Sequence, residues 1–251
     1  MSEGFQLFLC GLFCFFVGVF TGRSFHPWKA TKVPWGPDNN ILSLAHHAAR
    51  EWNNTWFGIR ILQFPSDLLT YQNLIYETNP DFVIETGAYE GGLSVYLAGI
   101  LENLGSQGKV ITVDPRSESW QRTLSYKKFK DTLLERILFI QGNSTSSEVF
   151  QLISKFVEGK KVLVILDSRH DRDFVLEELR LYSKLINLGS FLLVNDTHLG
   201  HAFAPPPLGI QPGPLAAVQD FLAENPHFLR MEGKQRFMIS CLHSGILQRI
   251  E

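Results

Sequence analysis

Phe82-Val83-Ile84-Glu85-Thr86-Gly87-Ala88-Tyr89-Glu90-Gly91-Gly92-Leu93-Ser94 is the stretch that decides the fold. An apolar, β-branched run ends in an acid, a glycine-rich turn follows, and helical spacing begins at Leu93. Strand, tight turn and helix N-terminus in that order build a nucleotide-binding crevice at the carboxyl edge of a parallel sheet. Gly87 allows backbone angles closed to other residues, and Gly91 and Gly92 let the backbone come close to a ligand. The spacing is neither the dinucleotide G-x-G-x-x-G nor a P-loop, and an ordinary strand-to-helix turn would look the same. A second signal lies about 20 residues on. Lys109-Val110-Ile111-Thr112-Val113-Asp114 is another apolar strand ending in an acid, at the position where such folds hydrogen-bond ribose hydroxyls.

The alternation continues in both directions. Strands are expected at Phe82 to Glu85, Val110 to Asp114, Ile137 to Gln141, Lys161 to Asp167 and Ser190 to Asn195, with helical patterns between them. Val162-Leu163-Val164-Ile165-Leu166 is continuously apolar, as a parallel strand covered on both faces must be. The expected architecture is a doubly wound, mostly parallel α/β sheet, Rossmann-like, with helices on both faces. Short strands near Phe228 to Met231 and Arg236 to Cys241 are expected to close it as an antiparallel pair, with Leu247 to Ile250 a further short strand.

Upstream, Phe5 to Thr21 is an uncharged apolar run near the short limit for a bilayer span. Without a basic n-region or a small-residue cleavage site it reads as an uncleaved transmembrane anchor within residues 1–25. Residues 26–40 form a Pro- and Gly-rich linker, and residues 41–251 the main domain, whose N-terminal helices (41–79) lid the crevice. Arg23, Lys29 and Lys32 follow the apolar run and favour a single-pass membrane protein with its domain on the cytoplasmic side. Two formal glycosylation triplets, at Asn53 and Asn143, argue the other way. The net charge of −2 and the lack of a basic stripe give no indication of nucleic acid binding. Cys10, Cys14 and Cys241 make no disulfide framework. A homo-oligomer is neither required nor excluded.

Glu85-x-Gly87-x-x-x-Gly91-Gly92 with Asp114 resembles the motif pair of S-adenosylmethionine-dependent methyltransferases. Leu166-Asp167-Ser168-x-His170, Val194-Asn195-Asp196-Thr197 and Gly213-Pro214-Leu215-x-Ala217-Val218 narrow the resemblance. They are similar to the family named for cephalosporin hydroxylase and rhamnosyl O-methyltransferase. Pro65-Ser66-Asp67-Leu68-x-x-Tyr71-Gln72 upstream and Phe221 to Pro226 downstream agree, so the likeness spans roughly residues 50 to 250.

The resemblance implies an O-methyltransferase acting on a hydroxyl of a small molecule or glycoside, with S-adenosylmethionine and a divalent metal such as Mg²⁺. Glu85, Thr86, Gly87, Ala88, Tyr89, Gly91 and Gly92 would wrap the methionine and ribose part of the cofactor. Asp114 would take the ribose hydroxyls, Asn143 and Ser144 would border the adenine, and Asp167 would touch both cofactor and metal. Asp167, Asn195 and Asp196 would be the metal ligands, although Asn195 is neutral where this family often has a carboxylate. His170 stands where the related catechol O-methyltransferases carry their catalytic Lys. Its pKa suits a general base, with His198 and His201 as rivals. The chemistry agrees with such a set. Mg²⁺ wants hard oxygen donors, and a bound cation lowers the pKa of a hydroxyl nucleophile. A plain turn at Asn195-Asp196, a capping acid at Asp167 and a solvated His170 remain open alternatives. A cofactor-binding pseudoenzyme, or a hydroxylase, would be the rival function.

Overall fold

The computed structural model describes residues 54–125, 131–197, 212–234 and 240–251. A hairpin, β1 (Thr55–Trp56) and β2 (Ile59–Arg60), is followed by α1 (Pro65–Thr78). The main run is then β3 (Phe82–Thr86), α2 (Gly92–Asn103), β4 (Lys109–Asp114), α3 (Ser117–Ser125), α4 (Asp131–Leu134) and β5 (Ile137–Gln141). It continues through α5 (Ser147–Val157), β6 (Val162–Leu166), α6 (Arg172–Tyr182), β7 (Phe191–Val194), α7 (Pro214–Glu224), β8 (Phe228–Arg230) and β9 (Ile246–Arg249).

Seven strands form one sheet in the order β5-β4-β3-β6-β7-β9-β8. The first five are mutually parallel, and β9 runs antiparallel to both β7 and β8. The chain starts in the middle at β3, steps outward through β4 and β5, then returns to lay β6 on the other flank of β3. That reversal is a topological switch point, and open α/β sheets bind ligands in the crevice beyond it.

Period-2 alternation sorts the strand residues between two apolar layers. Val162, Val164 and Leu166 pack with Val175, Leu179 and Tyr182 of α6 and Phe221 of α7. Leu163 and Ile165 pack with Tyr71 and Leu74 of α1 and Leu97 and Leu101 of α2 on the opposite face. Each fully buried Leu, Ile or Val contributes roughly 1.5–3 kcal/mol of transfer free energy, so the central strands anchor the fold. Helix starts are signalled locally. Ser146 caps α5 by accepting from Val149 N at 3.3 Å, and Asp171 caps α6 by accepting from Phe174 N at 3.2 Å.

Several expectations are corrected. Strand β8 pairs with β9, whereas Ser240 and Cys241 are irregular and residues 235–239 lie outside the described residues. Helix α1 opens at Pro65, which lacks the N–H a helix start leaves unpaired, with Phe64 in the cap position. Asp67 is buried, accepting from Ser240 Oγ at 2.5 Å and Cys241 N at 2.8 Å, and so ties α1 to the C-terminal segment. Helix α1 packs on α2 as part of the core instead of lidding the crevice, and residues 41–53 lie outside the described residues. The membrane assignment is also corrected: among the described residues no helix is long and apolar enough to cross a membrane. The Phe5 to Thr21 run itself lies outside them, as do His198 and His201.

Candidate active site

The carboxyl ends of the five parallel strands converge on one cavity of about 630 Å³. Gly87 and Tyr89 line it after β3, Asp114 to Arg116 after β4, Gly142 to Ser144 after β5, Asp167 to His170 after β6 and Asp196 after β7. Leu62 and Phe174 complete the wall. The volume lies within the range of about 300–1,000 Å³ usual for small-molecule sites. A more open depression of about 700 Å³ lies at the opposite, amino ends of the strands, where Lys155, Lys184 and Arg249 stand beside Glu158 and Glu251. It gathers none of the residues the sequence singles out.

The glycine turn is held from beneath. Gly87 has φ +87°, and its N–H donates to Val113 O at 2.8 Å. A Cβ there would lie 2.7 Å from the Asp167 carbonyl carbon and 2.8 Å from Ser168 Cα. The turn after β3 therefore touches backbone at the end of β6, and only glycine fits. Gly91 and Gly92 have a different use from the expected approach to a ligand. A Cβ on Gly91 would meet the Thr123 side chain, and one on Gly92 would lie 2.8 Å from the Arg60 carbonyl carbon. They make room for α3 and the β1–β2 hairpin.

Asp114 fastens the turn to β4. Oδ2 accepts from Ala88 N at 3.1 Å and Tyr89 N at 3.3 Å; Oδ1 accepts from Arg116 N at 2.8 Å and Arg116 Nε at 3.4 Å. These contacts fill the roughly four acceptor positions of a carboxylate. A ribose hydroxyl would have to replace the longest of them, from the mostly exposed Arg116 side chain. Tyr89 takes φ +47°, and its hydroxyl accepts from Arg60 at 2.9 Å.

Glu85 and Thr86 face away from the cavity. Glu85 is buried and accepts from the Ser94 hydroxyl, and burial pushes its pKa up to about 7. Thr86 is fully buried, and its Oγ1 accepts from Asp167 N at 3.3 Å. Ser144 lines the floor and donates to Glu178 at 2.6 Å, whereas Asn143 uses Oδ1 to accept from Thr145 N within its own turn.

At the other end of the cavity Asp167, His170 and Asp196 come together, each offering a ligand atom within 4.8 Å of the others. Asp196 takes φ +56°, a left-handed turn just past β7 that aims its carboxylate at His170 Nε2, 2.7 Å away. Burial, then the charge of Asp196, holds the Asp167 carboxyl well above the usual range. Burial alone would lower the His170 pKa, but the adjacent Asp196 carboxylate and the charges of Asp167 and Glu178 outweigh this and raise it to about 9. Two carboxylate oxygens, and the imidazole nitrogen when deprotonated, are donors of the kind a divalent cation takes.

Asn195 does not join that cluster's face. It is buried, its Oδ1 accepts from Tyr71 at 2.7 Å, and its Nδ2 donates to Gln63 Oε1 at 3.4 Å. Gln63 Nε2 in turn donates to Asp167 Oδ2 at 2.7 Å. Sequence reasoning assigned no site role to Gln63, Tyr71 or Glu178. The one hint was a polar residue directly before the Phe64-Pro65 helix start.

The model of the family described as Rhamnosyl O-methyltransferase/CmcI matches residues 49–250. A rhamnosyl O-methyltransferase of Mycobacterium tuberculosis (strain ATCC 25618 / H37Rv) is 32% identical over 203 residues, covering 78% of each chain. That of Mycobacterium leprae (strain TN) is 32% identical over 180 residues, covering 70% of this chain and 73% of the relative. Among solved structures, CmcI with Mg-SAM superposes with a TM-score of 0.59 at 18% identity, covering 88% of this chain and 82% of that one. Apo CmcI gives 0.58 at 20% identity, covering 79% and 76%. At such identities these two neighbours show the shared fold, whereas the family match reaches across nearly all of the described residues. The chain belongs to the rhamnosyl O-methyltransferase/CmcI family of methyltransferases.

Proposed function

We propose that the chain is an S-adenosylmethionine-dependent O-methyltransferase, assisted by a divalent cation, that acts on a hydroxyl of a small molecule or glycoside. The observation that carries this is one cavity with a ribose-type acid, Asp114, on one wall and the Asp167–His170–Asp196 cluster on another. The glycine turn from Gly87 to Tyr89 would hold the methionine half of the cofactor, Asp114 the ribose, and Asn143 and Ser144 the adenine side. Glu85, Thr86, Gly91 and Gly92 support the turn from behind. The mycobacterial relatives, named rhamnosyl O-methyltransferases, favour a sugar hydroxyl as acceptor.

The methyl group passes from a sulfonium to the acceptor oxygen, the sulfonium becoming a neutral thioether and the hydroxyl losing its proton. Asp167 and Asp196 would hold the cation, with His170 or Asn195 beside them. A divalent cation there supplies Lewis acidity, lowering the hydroxyl pKa and fixing the oxygen. His170 is placed to take the proton. While paired to Asp196 it is protonated at pH 7 and cannot act as a base. A cation held by Asp196 would take that carboxylate from the imidazole and so favour its neutral form. Leu62 and Phe174 give the cavity an apolar wall.

Transfer of a labelled methyl group from S-adenosylmethionine to a rhamnoside panel, with and without chelator, tests the reading. Activity lost in chelator and restored by Mg²⁺ or Mn²⁺ is expected. Failure of the wild-type chain to bind S-adenosylmethionine or S-adenosylhomocysteine would overturn it. A second reading, a cofactor-binding pseudoenzyme, is favoured by the engagement of Asn195 with Tyr71 and Gln63. It predicts cofactor binding with no divalent metal binding.

A further inference from the structure

Behind the cavity floor lies a carboxyl that methyl transfer does not use directly. Glu178 sits within α6 and is fully buried, among apolar neighbours of the same helix such as Val175 and Leu179. Its Oε1 accepts from Ser144 Oγ at 2.6 Å and from Ser168 Oγ at 2.8 Å, while Oε2 has no hydrogen-bond partner. Burial raises its pKa to about 7, against the opposing effect of these hydroxyls, of Thr86 and of the His170 charge. A buried carboxyl is costly even with the His170 charge nearby, and an apolar side chain of equal volume would suit the surrounding layer better. Something other than stability keeps a carboxyl there.

The two serines explain what that is. Ser144 belongs to the turn after β5 and Ser168 to the turn after β6, and both line the cavity. In the sheet, β4 and β3 lie between those strands, so no ladder bond joins the two turns and the strands are on the order of 14 Å apart. Glu178 is the partner they share. One helical turn further on, Tyr182 donates to Ser144 O at 3.0 Å, so α6 grips the β5 turn through backbone as well.

We propose that Glu178 is a positioning residue for the cofactor: by accepting from Ser144 and Ser168 on one oxygen, it fixes the separation of the two walls between which the adenosine half binds. This rests on the S-adenosylmethionine reading and deepens it.

The test uses the full chain with three substitutions. Glu178→Gln keeps the accepting oxygen. Glu178→Met keeps the volume but removes the acceptor, and should fold with a melting temperature at or above wild type. Glu177→Gln, on the exposed side of the same helix, is the control. Calorimetric titration with S-adenosylhomocysteine should show at least tenfold weaker binding for Glu178→Met, recovery to within threefold for Glu178→Gln, and no change for the control. A folded Glu178→Met that binds like wild type overturns the proposal, as does Glu178→Gln binding no better than Glu178→Met. If Glu178→Met fails to fold, the Ser144→Ala/Ser168→Ala double variant takes its place with the same thresholds.

Amide hydrogen exchange of the ligand-free protein separates this from the function itself. Glu178→Met should raise exchange in residues 142–146 and 166–170 together. If wild type bound no S-adenosylhomocysteine, the functional reading would fall while this arm still decided whether Glu178 sets the two turns, and unchanged exchange would overturn that as well.

Discussion

Gly87→Ala is the sharpest test of how the crevice is built. Gly87 sits at φ +87° with its N–H bonded to Val113 O, so the backbone cannot rotate away without breaking the tie to β4. Asp167 N donates to Thr86 O at 3.0 Å, so the end of β6 cannot retreat without breaking the tie to β3. An added methyl would lie 2.7 Å from the Asp167 carbonyl carbon and 2.8 Å from Ser168 Cα, and nearer still to the carbonyl oxygen. All three are backbone atoms, with no flexible side chain to give way. Forcing a methyl into a packed site costs roughly 1–3 kcal/mol. A left-handed conformation on a non-glycine residue adds about 1–3 kcal/mol. The total, about 2–6 kcal/mol, is a large share of the roughly 5–15 kcal/mol that holds a domain together. At about 2–4 °C per kcal/mol for a chain of this size, the melting temperature should drop by some 5–20 °C. Thermal scanning with and without S-adenosylhomocysteine reads both the drop and the loss of ligand stabilisation. Gly189→Ala is the control, because Gly189 has φ +80° but nothing within 4 Å of an added methyl, so only the backbone strain applies. If Gly87→Ala melted with wild type, or no lower than Gly189→Ala, the close apposition of the β3 and β6 ends would be refuted.

Asp114→Asn should weaken S-adenosylhomocysteine binding by at least tenfold in calorimetry, because its one carbonyl oxygen can serve either the Ala88 and Tyr89 amides or the Arg116 amide, and its NH2 group opposes the donors left over. Asp171→Ala should cost about 1 kcal/mol in urea unfolding by removing the α6 cap, leaving cofactor affinity within twofold. Glu85 and Glu178 both have folded pKa values raised from 4.5 to about 7 by burial. Between those pH values the unfolded chain ionises first and binds fewer protons. The stability they contribute is therefore complete below about pH 4.5 and is lost as pH rises to about 7, on the order of 3 kcal/mol per group. Urea midpoints at a series of pH values should show that decline, and Glu85→Gln should remove the Glu85 share of it while leaving that of Glu178. Asp196→Asn should abolish Mn²⁺ binding in titration calorimetry; undiminished binding would remove the residue from the proposed cation site.

The alternating pattern was legible because parallel strands buried on both faces are apolar over most of their length, and a polar residue ends or directly follows each of these. Asp114, Asp167 and Asp196 were readable as strand-end acids, and the structure brings all three to one cavity. The C-terminal pairing was not readable. Residues 228–231, 236–241 and 247–250 have similar strand character, and only the sheet register shows that Leu247 meets both Leu192 and Arg230. Gly91 and Gly92 looked like ligand-facing glycines because sequence cannot distinguish close approach to a cofactor from close approach to Thr123 or Arg60. Glu178, next to Glu177 in a charged helix, carries no local signal of its role. Its partners lie 34 and 10 residues away, and no local pattern carries that distance.

Asn195 shows why a family position cannot be judged by ligand strength alone. Hydrogen bonds have polarity, and the chain from Asp167 to Tyr71 can run in one direction only. The Asp167 carboxylate must accept, so Gln63 presents Nε2 to it and turns Oε1 toward residue 195. Residue 195 must therefore donate on the Gln63 side, while its Oδ1 shares the Tyr71 hydroxyl with Gln63 Oε1, which lies 3.0 Å from that hydroxyl. A carboxamide does both. A carboxylate cannot donate: it would face Gln63 Oε1 with a bare oxygen, and turning Gln63 over would set Oε1 against Asp167 instead. Asn195, Gln63 and Tyr71 thus form a matched set holding one oxygen of Asp167, and the other oxygen is what remains for a cation. Asn195→Asp should then destabilise the fold by about 1–3 kcal/mol, the cost of a buried polar group without a partner, instead of simply restoring a ligand. Gln63→Met in the same background should recover part of that loss, because it removes the opposing oxygen. A single Asn195→Asp variant that is fully stable and binds Mn²⁺ more tightly would show that the network yields to the metal.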